Sequence, residues 1–133
     1  MKVFLERINQ NYAVKAANEQ GKSIIVDGEG SSLTPMQSLL SAVAACTVVD
    51  VVEILKKQKQ ELKHIRMEAS GEREQVAQVK PFRSIHIHYI LYGRIDTQKA
   101  EKAIDLAFNK YCSVSASLSK EIKKTFSFEI IDE

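Results

Sequence analysis

The chain has little net charge: 19 Lys and Arg against 17 Asp and Glu leave a formal +2. So small and scattered a surplus forms no basic stripe for nucleic acid and no cationic face for a membrane surface. The one basic cluster in mid-chain, Lys56-Lys57-Gln58-Lys59, falls where a helix is expected to end. Cations there offset the negative pole of the helix dipole. No apolar run of signal-peptide length occurs in Met1-Lys2-Val3-Phe4-Leu5-Glu6-Arg7, so a cytoplasmic, reducing compartment is expected. The stretch from Met36 to Leu55 has the length of a membrane span. Gln37, Asp50 and Glu53 interrupt it, and a buried helix of a soluble protein is expected instead.

Other signals are missing too. Asp27-Gly28-Glu29-Gly30-Ser31-Ser32 is rich in glycine and serine but has neither a dinucleotide-binding nor a Walker pattern, and reads as a mobile connector. There is no nucleophile elbow, zincin helix, Ser-His-Asp signature, internal repeat or low-complexity segment. At 133 residues a single domain spanning 1–133 is expected, with no cofactor and no metal. His86 and His88 alternate on one predicted strand and share a face with His64 of its neighbour. That face also carries Ser84 and Tyr92, so a polar surface is expected there and not a zinc site.

What is present has a clear order. Val3 to Ile8, Tyr12 to Ala17 and Ser23 to Val26 read as strands, the first two joined by the turn Asn9-Gln10-Asn11. Thr34-Pro35-Met36-Gln37 then carries three helix-opening signals together. Thr34 suits the cap, Pro35 the first turn, and Gln37 completes a capping box. The helix should run to about Gln58. Leu62 to Glu72 and Phe82 to Tyr92 read as further strands, with Ile85, Ile87, Tyr89 and Leu91 on one face. Asp96 caps a second helix whose buried edge is Ala100, Ala103, Ile104, Ala107, Phe108 and, one turn on, Cys112. A short helical turn around Ser115 to Ile122 and a strand with Phe126, Phe128 and Ile130 inward complete the chain. The long helix is apolar or small on nearly every face up to Val52, and the few remaining elements are too little to cover it. An intimate homodimer pairing two such helices is therefore expected.

Only two cysteines occur, and they sit on separate elements. Cys46 lies inside the apolar run from Ser38 to Val49, and Cys112 follows Lys110-Tyr111. They are either small buried hydrophobes or a redox pair. A cysteine with pKa near 8.5 is only about 3% thiolate at pH 7, so a reactive one needs help. Cys46 is too far from the start of its helix for the dipole to help, and Asp50, one turn on, would oppose ionisation.

The chain resembles the OsmC/Ohr family of osmotically induced and organic-hydroperoxide-resistance proteins. The resemblance rests on Thr34-Pro35-Met36-Gln37-Ser38-Leu39-Leu40, on Ala42-Val43-Ala44-Ala45 before Cys46-Thr47, and on Lys110-Tyr111-Cys112-Ser113-Val114-Ser115. The order of elements is similar as well. It implies an α+β fold built as an intertwined homodimer, with long central buried helices flanked by antiparallel-rich sheets and active sites at the subunit interface. It further implies thiol-dependent reduction of peroxides, organic hydroperoxides above hydrogen peroxide. Cys46 would be the peroxidatic residue and Cys112 the resolving one, with an external dithiol such as a lipoyl group as reductant. Peroxidases of the family place a glutamate just after the helix-opening proline, paired with an arginine from the N-terminal region; here Met36 and Gln37 follow Pro35. Gln37 and Asp50 are the candidate supporting residues, and Asp50 or Glu53 could organise Lys15, Lys22 or Arg83 of the other subunit. A different reading of the same fold is a non-catalytic dimer that binds a hydrophobic small ligand or senses redox state.

Overall fold

The computed structural model describes all 133 residues, Met1–Glu133, and divides them into two compact units, Met1–Leu39 and Leu40–Glu133. In the first, β1 (Val3–Arg7), β2 (Ala13–Asn18) and β3 (Ser23–Asp27) form an antiparallel sheet in chain order. Its turns are held by asparagine side chains that imitate a backbone turn. Asn9 Oδ1 accepts from the Asn11 and Ala13 amides at 2.9 and 3.2 Å, and Asn18 Oδ1 accepts from Gln20 and Lys22 at 3.0 and 2.9 Å. The glycine and serine loop carries hydrogen bonds of its own. Asp27 is buried there and accepts from the Glu29 amide at 2.8 Å and from the Ser31 hydroxyl.

Helix α1 (Pro35–Lys57) opens on the expected capping box. The Gln37 amide donates to Thr34 Oγ1 at 3.2 Å, and Gln37 Oε1 accepts from the Thr34 amide at 3.0 Å. The helix is long and apolar enough, by length and composition, to cross a membrane. Its buried residues are Val43, Ala44, Thr47, Val51 and Leu55, while Val49 remains 66% exposed. The covering that an all-round apolar helix needs is thus not supplied by the single chain.

The second unit is built on β4 (Glu61–Arg73), β5 (Phe82–Arg94) and β6 (Lys123–Ile131), in that order. β4 and β5 form a long antiparallel hairpin, but β6 runs parallel to β5. A parallel partner requires a crossover, and the helices between β5 and β6 provide it. The inward row of β5 falls as the alternation predicts, with Ile85, Ile87, Tyr89 and Leu91 all fully buried. Ala100, Ala103 and Ile104 of α2 (Thr97–Asp105) and Ala107 and Phe108 beyond it complete the core. Asp96 caps α2 by accepting from the Lys99 amide at 3.1 Å.

One boundary differs from the spacing-based expectation. Cys112 does not continue the buried edge of an α-helix. From Leu106 to Lys110 the helix widens into a π-turn, and the Tyr111 amide donates to the Leu106 carbonyl at 3.0 Å, five residues back. The added residue per turn ends the helix and releases Cys112 into extended backbone (φ −76°, ψ 103°). The following helical turn, α3, accordingly spans Ser113–Ala116 and not Ser115 to Ile122.

Candidate functional site

Within the second unit the two thiols meet. Cys46 on α1 and Cys112 at the head of α3 lie 3.4 Å apart as free cysteines. That is close contact for two sulfurs, but well beyond the bond length of about 2.05 Å. Cys46 is half-buried and Cys112 only 4% exposed, so a reagent from solvent reaches Cys46 first.

Cys112 is more than a packed sulfur. It takes the capping position of α3, where Sγ accepts from the Ser115 amide at 3.3 Å, and its S–H points at the Val43 carbonyl of α1, 3.9 Å away. Burial pushes the Cys112 thiol up; the Ser115 amide pulls it down, and the Cys46 sulfur beside it pushes it up again. Lys124 of β6 steadies the same turn, its Nζ donating to the Ser115 carbonyl at 2.7 Å.

Directly beside Cys46, Thr47 carries the one hydroxyl of the buried α1 stripe. Thr47 Oγ1 donates to the Ala44 carbonyl at 2.8 Å and pairs with Tyr89 Oη at 2.7 Å. Since the single threonine proton goes to Ala44, Tyr89 is the donor of the second bond. Burial pushes the Tyr89 phenol up to about 12, against the smaller opposing effect of Thr47 and with a further push from Cys112. Composition gave no hint of this pair. The signal was a threonine and a tyrosine at inward positions of otherwise aliphatic rows.

The two supporting candidates fall differently. Gln37 gives its side-chain oxygen to the capping box at the start of α1. Asp50, one turn beyond Cys46, is half-buried and makes no ion pair within the chain. Arg83 is paired with Glu74 at 3.0 Å. The histidines form no metal cluster. His86 Nδ1 and Nε2 bond Thr125 and Ser127 at 2.7 and 2.8 Å, and His88 Nδ1 and Nε2 bond Ser127 and Glu129 at 2.7 and 3.0 Å. Register places His64 opposite Tyr92, four residues along β5 from His88, where the two rings stack at 5.5 Å.

An α+β chain that brings a helix cysteine against the cysteine capping a later turn defines a class of dithiol protein. Comparison with known proteins specifies it further. The model of the OsmC-like protein family matches residues 28–127, and the chain belongs to that family. It is 33% identical over 114 residues to protein YhfA of Escherichia coli K12, a match covering 84% of each chain. A hypothetical protein from Aquifex aeolicus VF5 superposes with a TM-score of 0.87 at 31% identity, covering 99% of this chain and 96% of that one. A Legionella pneumophila organic hydroperoxide resistance protein OsmC, described as a predicted redox protein, has the same fold. Its TM-score is 0.72 at 17% identity, over 97% of both chains.

Proposed function

We propose that this chain is a cytoplasmic thiol-dependent peroxidase that reduces organic hydroperoxides, and hydrogen peroxide more weakly, through Cys46 and Cys112. The 3.4 Å approach of the two thiols carries the reading. The Cys46 thiolate attacks the terminal oxygen of the hydroperoxide. An S–O bond forms, the O–O bond breaks, and the departing alkoxide takes up a proton to become the alcohol. The Cys112 thiolate then attacks the Cys46 sulfur, forming the disulfide and expelling hydroxide, which leaves as water. An external dithiol, of lipoyl type, returns both thiols by exchange. The apolar run around Cys46 suits a substrate with a hydrocarbon tail.

The working form is proposed to be a homodimer in which both units of each chain act as one domain. Val3, Phe4, Leu5, Ile24 and Ile25 of the first sheet are 46–62% exposed and Val49 of α1 66%, and a second copy would cover them. Sedimentation at micromolar concentration checks this, with a dimer as the expected species. The chemistry is checked by treating reduced protein with one equivalent of cumene hydroperoxide and, separately, hydrogen peroxide. Formation of the Cys46–Cys112 disulfide is followed by mass. Closure should be complete with both and faster with the organic peroxide. One observation favours the second reading, a dimer that binds a hydrophobic ligand or senses redox state. Gln37, at the position after Met36, serves the capping box and brings no negative charge. A disulfide that closes without catalytic turnover by a dithiol would select that reading.

A further inference from the structure

We propose that Thr47 and Tyr89 are positioning residues that hold α1 in register on β5 and thereby set the effective concentration of Cys46 at Cys112. The proposal rests on the dithiol reading above and names the groups that make it efficient. Val43, Thr47, Val51 and Leu55 repeat every four residues along α1 and are all fully buried. Threonine and valine have nearly the same shape. Apolar packing alone therefore distinguishes poorly between the observed seating and one displaced by four residues, about 6 Å, in which Thr47 occupies a neighbouring valine's place.

The hydroxyls remove that ambiguity. In the observed register Tyr89 donates to Thr47, and Thr47 to Ala44, so each buried proton has an acceptor. In a displaced register Tyr89 would face aliphatic carbon, leaving a buried hydroxyl unpaired. A buried polar pair used in this way specifies geometry more than it adds stability. Its location fits the role. Thr47 adjoins Cys46 in the chain, and the Val43 carbonyl on the same helical segment faces the Cys112 thiol. Fixing that segment fixes one sulfur against the other, and misplacements of about 1 Å can slow such a reaction by about a hundredfold.

The test needs no peroxide. Wild-type protein, Thr47→Ser, and the double variant Thr47→Val/Tyr89→Phe are equilibrated in glutathione redox buffers, acid-quenched and alkylated. The disulfide fraction, read by mass, gives the effective concentration of the thiol pair. Removing both hydroxyls leaves no orphan, so the double variant should keep its denaturation midpoint. Its effective concentration should nonetheless fall by about tenfold or more. Thr47→Ser, which retains the hydroxyl, should stay near wild type. A double variant with wild-type effective concentration overturns the proposal, whatever its stability. If it does not fold, Thr47→Val against Thr47→Ser decides by the same measurement. A wild-type chain that forms no disulfide in any buffer overturns the dithiol reading itself, and this proposal with it.

Discussion

A Cys46→Ser variant is expected to consume cumene hydroperoxide at least about a thousandfold more slowly than the parent chain. Cys112→Ser should instead complete a single turnover and stop. The asymmetry follows from access and from acid–base chemistry. A serine hydroxyl in place of the Cys46 thiol remains protonated at neutral pH and offers no comparable nucleophile. Cys112, 4% exposed behind Cys46, cannot meet a bulky peroxide directly. In the Cys112→Ser variant the Cys46 sulfenic acid has no intramolecular partner, so it should accumulate and be trapped by dimedone as one adduct per chain. A second dependence separates the two steps. Burial holds the Cys112 thiol up, so its neutral form dominates near pH 7. Closure of the disulfide should accelerate as pH rises, approaching about tenfold per unit while Cys112 stays mostly protonated. Stopped-flow measurement of closure and of sulfenic acid formation distinguishes this from a common pH effect on both. A burst retained in Cys46→Ser and lost in Cys112→Ser would reverse the roles.

The fold and the candidate site were only partly legible in the chain. Thr34 and Gln37 announced their capping box because the signal is local and carried by side chains that bond neighbours three residues away. The inward row of β5 was equally clear, since strict alternation of Ile85, Ile87, Tyr89 and Leu91 has one simple reading. The turn that presents Cys112 was not. Ala107, Phe108 and Cys112 fit helical spacing, and nothing in their side chains marks the point where the backbone widens by a residue. Cysteine is also an unusual helix cap, so its bond from the Ser115 amide could not be read from residue type. The bond between Thr47 and Tyr89 was illegible for a different reason. They are far apart in sequence, and a buried hydroxyl declares its purpose only when its partner is seen. The family resemblance did bring the two thiols together, since family membership carries tertiary information that periodicity lacks.

Gly93→Ala is expected to destabilise the chain by about 3–5 kcal/mol, combining backbone strain with a steric clash. Gly93 adopts φ +135°, outside the range that side-chain-bearing residues readily occupy. A Cβ placed there would stand 1.9 Å from the Glu61 carbonyl oxygen and 3.1 Å from the Lys63 amide nitrogen. All those atoms are backbone, so no side chain can rotate aside. They belong to the irregularity between Leu62 and His64, where β4 shifts register against β5. Relief would require opening the hairpin at that end, four residues along β5 from Tyr89 and its bond to Thr47. The effect should therefore reach the thiols as well as the melting temperature, slowing disulfide closure in whatever fraction remains folded. Gly28→Ala is the matched control: its Cβ would meet Tyr12 Cβ at 3.5 Å, an ordinary contact. Thermal unfolding should place Gly93→Ala more than about 10 °C below the parent, and Gly28→Ala close to it. Equal melting temperatures for the two variants would mean that the β4 irregularity yields freely, and that the seating of Tyr89 does not depend on it.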